Sequence, residues 1–191
     1  MTFDDRHLAD QLLEYRRRWP SESEVVAQFE DLLGPRADDA CDVVADDPYR
    51  RERLAGHLTA SSWLVDQGGA RVLLTHHRKL DRWLQLGGHA DGDRDLSRVA
   101  LREAEEESGL AGLTLEGDLF DLDRHWIPAR AEVPGHWHYD MRYVVRAGAR
   151  EDFVVSAESH DLAWRDIDAI ADDPDADPSL RRMARKWLRQ A

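Results

Sequence analysis

The stretch Leu86 to Leu110, LGGHADGDRDLSRVALREAEEESGL, limits what this chain can fold into more than any other part of it. It opens on a glycine pair, passes through a short acidic turn and continues as a helical run that closes on glutamates and a glycine. Residues of an α-helix advance about 100° each, so positions three and four apart share a face. Glu103, Glu106 and Glu107 therefore project to one side, and Leu96, Val99 and Ala100 occupy that side one or two turns earlier. The carboxylates continue a stripe that begins as core.

Like charges at these spacings repel by a few tenths of a kcal/mol in water, and by more when partly withdrawn from it. Something positive has to compensate. A hard divalent cation meets the need, since Mg²⁺ and Mn²⁺ prefer carboxylate and carbonyl oxygens. Arg102, one turn before Glu106, is placed to hold a carboxylate. Gly87 and Gly88 supply backbone that an ion or phosphate can approach with no Cβ in the way. Gly109 can close the helix in a left-handed conformation. A glutamate-rich helix is commonly just a solvated face, and Glu105 on the opposite side is read that way. For the other three glutamates the glycine pair, the shared face and the terminal glycine together point to a metal site.

These residues resemble the signature of the Nudix hydrolases, Gx5Ex7REUxEExGU, where U is a bulky apolar residue. Gly88 matches the first glycine, Arg102 and Glu103 the RE pair, Glu106 and Glu107 the EE pair, Gly109 the last glycine and Leu110 the closing U. Arg94 departs by standing at the first glutamate, and Ala104 is small for the inner U. The missing glutamate normally supports the metal helix; Asp91 or Asp93 can substitute, or Arg94 can pair with a neighbouring carboxylate. The resemblance implies an α/β (α+β) chain folded as a Nudix-type α/β/α sandwich with a mixed β-sheet. It also implies Mg²⁺ or Mn²⁺ held by the Gly87 carbonyl with Glu103, Glu106 and Glu107, and a glutamate oriented by Arg102. A further carboxylate is expected from the loop before the last strand. Glu158 is the best positional match, with Asp140, Glu132 and Glu151 as rivals, and Glu103 and Glu158 both stay open as general base.

The chain has 191 residues, enough for one domain plus an extension. The reading is an N-terminal helical extension over 1–53 and a Nudix domain over 54–191. Hydrophobic residues at 42% and charged ones at 34% describe a globular protein, not a disordered one. A formal net charge of −13 argues against stable binding to nucleic acid or to an anionic membrane, which needs basic surface. It leaves room for a phosphorylated small molecule, because a bound cation reverses the local field. Cys41 is the only cysteine, so no intrachain disulfide forms. The N-terminus lacks a basic region followed by an apolar core, and no run approaches about 18 apolar residues, so a cytoplasmic location is expected.

Asp4 to Trp19 reads as an amphipathic helix with Leu8, Leu12, Leu13 and Tyr15 as its apolar positions. Pro20 breaks it, and Ser21 with Glu24 forms a capping-box pattern before a second helix stopped by Gly34-Pro35. Arg36 to Asp47 is an acidic loop, and Pro48 to Arg53 reads as a third short helix. This leader can pack on the domain, contact a second copy to make a homodimer, or shape substrate access. From His57 a hairpin turns at Gln67-Gly68-Gly69. After the signature helix, LTLEGDLFDLD reads as a strand, His125 to Gly135 as an irregular passage and HWHYDMRYVVRA as another strand. Asp161 to Trp164 forms a last short strand and Ser179 to Arg189 a closing helix.

Trp126, Trp137 or Tyr139 can stack on a planar group, and Arg130 or Arg142 can meet phosphate, which makes Trp126, Tyr139 and Arg142 the candidate substrate contacts. His76, His77 and His89 are read as ordinary polar residues, and the His136-x-His138 pair has no third ligand at a fitting spacing. The function implied is metal-dependent hydrolysis of a diphosphate linkage in a nucleoside diphosphate joined to another moiety. A non-catalytic Nudix-like nucleotide or metabolite sensor is the alternative. An isopentenyl-diphosphate isomerase ranks lower, because its chemistry calls for a cysteine near the glycine turn, where this chain has His89.

Overall fold

The computed structural model describes residues 3–34, 46–156 and 159–190. The expectations for Cys41, for most of the 36–47 loop and for Glu158 lie outside them. In chain order the elements are α1 (Phe3–Arg18), α2 (Ser23–Leu33), β1 (His57–Val65), β2 (Arg71–His77), β3 (Arg82–Leu84), β4 (Leu86–His89), α3 (Leu96–Ser108), β5 (Thr114–Ile127), β6 (His136–Arg146), β7 (Ser159–Asp166), α4 (Ile167–Asp172) and α5 (Pro178–Gln190).

β1 is buried along its whole length and everything else is placed by it. One edge pairs with β6 in parallel, from His57 opposite His138 to Val65 opposite Arg146. The other edge pairs antiparallel with β4, Ala60 opposite Gly88 and Ser61 opposite Gly87, and then meets β2 at Val65. β5 extends the sheet beyond β6, while β3 and β7 pair with β2. The mixed sheet follows from this strand order.

Side chains of a strand alternate between faces. Leu58, Ala60 and Leu64 share clusters with Val99, Ala100 and Ala104 of α3, whereas Trp63 and Val65 pack with Ile167, Ile170, Leu180, Met183 and Trp187 of α4 and α5. Helices thus cover both faces, which is the sandwich expected. The leader joins the first of these cores through Leu8, Leu12 and Tyr15 of α1 and Val26 and Phe29 of α2. Burying Leu12, Val26 and Phe29 contributes on the order of 1.5–3 kcal/mol each. Packing on the domain is therefore a use the leader has. Among the described residues no helix is long and apolar enough to cross a membrane.

Four local readings differ from the structure. The capping box is absent, because a 3₁₀ turn over Pro20–Glu22 leads into α2 and no side chain caps it. Glu22 instead accepts from Tyr15 and from Lys186 Nζ at 2.8 Å. Residues 48–53 form successive turns and not a helix, since the Pro48 carbonyl accepts from Leu58 N–H at 2.7 Å and the Tyr49 carbonyl from Gly92 N–H at 2.8 Å. Strand β5 continues through His125 and Trp126, because its register against β6 holds to Ile127 opposite His136. Helix α4 was not legible as a separate element.

Candidate active site

Helix α3 has the ends its sequence calls for. The Asp95 side chain accepts from Arg98 N–H at 3.1 Å, and Gly109 takes a φ of 68° while its N–H reaches the Glu105 carbonyl at 2.9 Å. Leu96, Val99, Ala100, Ala104 and Ser108 form the buried face. Ala104 packs with Leu64, Leu73 and Leu86, so the small residue at the inner apolar position sits where the helix meets β1, β2 and the start of β4.

Two of the three glutamates meet the glycine pair. Glu107 Oε1 accepts from Gly87 N–H at 3.2 Å. The Glu103 carboxylate lies over Gly88 so closely that a Cβ there would be 2.5 Å from Oε2. Arg102 reaches Glu103 Oε1 at 3.1 Å, Asp93 at 3.7 Å and Glu106 Oε1 at 3.9 Å. Glu106 is the exposed member, with 65% of its side chain accessible. This donor set is all oxygen, and the space above Gly88 is occupied by a carboxylate only because no Cβ fills it. Both features fit a hard divalent cation.

The turn before α3 shows what Arg94 does. Its guanidinium reaches Asp47 Oδ2 at 3.3 Å and lies 4.6 Å from the centre of the Tyr49 ring. Arg51 forks onto Asp91, and Asp93 accepts from Arg98 at 2.7 Å. Burial works against the Asp93 charge, but Arg98, the Asp95 amide and Arg102 outweigh it and hold its carboxyl below the usual range. Asp91 is lowered chiefly by its hydrogen bond from Arg51. Residues 46–53 therefore clasp the loop that feeds α3.

The other expected residues are spread more widely. Trp126 is half exposed on β5 and meets Trp137 edge-on at 5.2 Å. Tyr139 is buried with its ring 5.3 Å from Phe29. Arg142 is buried among Asp140, Asp121 and Asp123, at 2.8, 3.3 and 3.3 Å. Asp140 also accepts from Thr59, Ser61 and Gln85, and Glu151 pairs with Arg71. Glu132 is exposed.

A set of histidines was missed by sequence reasoning. His57, His89 and His138 each bring a ring nitrogen within 4.8 Å of the other two. His136 and His125 lie beside them, 5.0 and 5.5 Å from the His138 ring. Burial, and then mutual repulsion, push His138 down to about 2; burial, then Arg51 and the other imidazoles, take His89 down to about 4. The one legible signal was the His-x-His pair, because His57 and His89 arrive only through strand register.

A three-layer fold with a glutamate helix against a glycine strand is the build of the Nudix-type α/β/α sandwich. The model of the NUDIX domain family matches residues 56–187, and the chain belongs to that family and is a Nudix hydrolase. No curated protein matches it. Among solved structures it is similar to the E. coli dihydroneopterin triphosphate pyrophosphohydrolase, at 20% identity and a TM-score of 0.57 over 70% of this chain and 96% of that one. A Nudix hydrolase from M. smegmatis, RenU, is 25% identical, with a TM-score of 0.51 over 71% of this chain and 85% of that one. A UDP-X diphosphatase, 16% identical with a TM-score of 0.52, covers 93% of this chain with 81% of its own.

Proposed function

We propose that this chain hydrolyses the diphosphate linkage of a nucleoside diphosphate joined to a second moiety, with Mg²⁺ or Mn²⁺ as its ion. The observation that carries the reading is the contact of Glu103 and Glu107 with the Gly88–Gly87 strand. The Gly87 carbonyl, Glu103, Glu106 and Glu107 would hold the ion. When bound, such an ion lowers the pKa of a water and neutralises charge on phosphate oxygens. Arg102 restrains Glu103 and keeps a positive charge beside the cluster, and Glu106 stands exposed within 3.9 Å of the same guanidinium. Glu103 or Glu158 takes the proton from the attacking water. Trp126 offers its open ring to a base, while Tyr139 supports Arg124, whose guanidinium stacks 3.7 Å from the Trp137 ring centre. Arg142 positions Asp140 behind the glycine strand. The likeness to a UDP-X diphosphatase, which extends over the leader, agrees with a nucleoside-diphosphate substrate.

The test is a panel of nucleoside triphosphates, nucleotide sugars, dinucleoside polyphosphates and coenzyme derivatives with Mg²⁺ or Mn²⁺, products identified by mass. Monophosphate products that vanish in Glu106→Gln and Glu107→Gln are expected, with kcat down by about 10²–10⁴-fold in folded protein. Full turnover in both variants refutes the assignment.

A further inference from the structure

We propose that His57, His89 and His138 form a second metal site, separate from the glutamate cluster, for a borderline transition ion of the Zn²⁺ class. The three come from three strands. His57 stands opposite His138 in the β1–β6 pair, and His89 stands opposite Thr59 in the β1–β4 pair, so one corner of the sheet gathers all three. Their ring centres are 4.8 to 5.2 Å apart. Ligand nitrogens already within 4.8 Å of one another need shift only by about 1 Å each to surround an ion at Zn–N distances of about 2.0–2.1 Å.

His57 is the independent sign of a ligand. The residue is 1% exposed, and its Nδ1 lies 3.2 Å from the Arg53 carbonyl oxygen. A carbonyl only accepts, so the ring proton belongs on Nδ1 and Nε2 keeps a lone pair. That Nε2 is buried and has no hydrogen-bond partner among the described residues. Leaving it so costs about 1–3 kcal/mol, and a metal ion would use it. A histidine that gives its other N–H to a backbone carbonyl is the usual orientation of a metal ligand. His136 holds its neighbour in a similar way: its Nδ1 faces the Pro134 carbonyl at 2.8 Å and so carries the proton, and its Nε2 accepts from His138 Nε2–H at 3.2 Å, which leaves the lone pair of His138 on Nδ1. It thereby orients the His138 ring.

The donor set decides the class of ion. Three imidazole nitrogens without a carboxylate suit Zn²⁺, Co²⁺ or Ni²⁺ and not Mg²⁺, whereas the glutamates favour the reverse. Three protein ligands leave a fourth position open. His89 directly follows Gly88, so an ion here would tie the glycine strand to β1 and β6.

The experiment strips the full chain with a chelator and titrates it with Zn²⁺ and Co²⁺ without substrate. Expected are one Zn²⁺ per chain, a visible Co²⁺ spectrum of tetrahedral type, and an X-ray absorption shell dominated by imidazole nitrogen. His89→Ala and His138→Ala should weaken Zn²⁺ binding by more than about 100-fold, and Glu106→Gln should leave it unchanged, so this site stands or falls apart from the hydrolase reading. If the histidine variants do not fold, the absorption shell of the wild-type chain decides alone. No Zn²⁺ retained by the wild type, binding that survives in both folded histidine variants, or an oxygen-dominated shell each overturns the proposal.

Discussion

Two adjacent glycines give a paired test, because a methyl group added to each would meet different things. At Gly88 a Cβ would lie 2.5 Å from Glu103 Oε2 and 2.6 Å from its Cδ. Carbon contacts settle near 3.5–4.0 Å, so the carboxylate has to withdraw by about 1 Å. It is the end of a flexible side chain, and a strained rotamer costs only about 0.5–1.5 kcal/mol. At Gly87 a Cβ would instead meet Ser61 Oγ and, at 2.7 Å, the Ala60 carbonyl oxygen and Ser61 Cα. That is the backbone of the central strand, which cannot yield in the same way, and overpacking costs about 1–3 kcal/mol or more. Gly88→Ala should therefore keep its unfolding free energy within about 1.5 kcal/mol of wild type and lose on the order of 10²-fold in kcat/KM, the usual result of a 1 Å misplacement. Gly87→Ala should lose stability first. The assays are urea unfolding and Mg²⁺-dependent turnover of the best panel substrate. Wild-type turnover by Gly88→Ala, or equal destabilisation of the two variants, refutes the placement of Glu103 over Gly88.

Arg94→Glu restores the signature residue but sets it against Asp47 and removes the cation from Tyr49, so thermal unfolding should show a loss of about 1–2 kcal/mol, with partial recovery when Asp47→Lys is added. Acid should unfold the chain early. Burial opposes the Asp121 and Asp123 charges, but Arg182, Arg142 and Lys186 about Asp121, and His125, Arg142 and Arg182 about Asp123, hold both carboxyls below their unfolded range. The unfolded chain then binds more protons as the pH drops, so this stability is complete above about pH 4 and is lost below it, which urea melts between about pH 3 and 6 would follow. A flat profile there contradicts the network.

What the sequence makes legible is local. The period of α3 and the spacing from Gly88 to Gly109 can be read from neighbours, as can the α1 face, where Leu8, Leu12 and Tyr15 are buried and Leu13 is not. What escapes is whatever needs register. Nothing in the chain announces that Thr59 stands opposite both His89 and Asp140, yet those pairings gather the histidines and give Asp140 its donors. The Ser21–Glu24 motif failed for a related reason: Lys186, distant in sequence, together with Tyr15 of the preceding helix holds Glu22 in the turn before α2.

The alternation of β1 connects these facts. Of its even residues, Leu58, Ala60 and Leu64 are apolar and share cores with α3, while Ser62 is polar and gives its hydroxyl to the Leu86 carbonyl at 3.4 Å, so hydrophobic packing sets where the helix lies. Its odd residues His57, Thr59 and Ser61 are polar and buried before Trp63 and Val65 return to core. Buried polar groups destabilise unless they are satisfied. Thr59 and Ser61 are satisfied by Asp140, at 2.9 and 2.8 Å, and Asp140 in turn by Arg142 at 2.8 Å. The glycine strand is therefore gripped from two sides: its pairing rests on the polar half of β1, while Glu107 accepts from Gly87 above it. A one-residue slip of β4 that put His89 in the place of Gly88 would bring a side chain under Glu103, move His89 from its place opposite Thr59 and break the Glu107 contact together. The register of four residues thus positions both the carboxylate site and the imidazole cluster, so a slip of the strand would be felt at both.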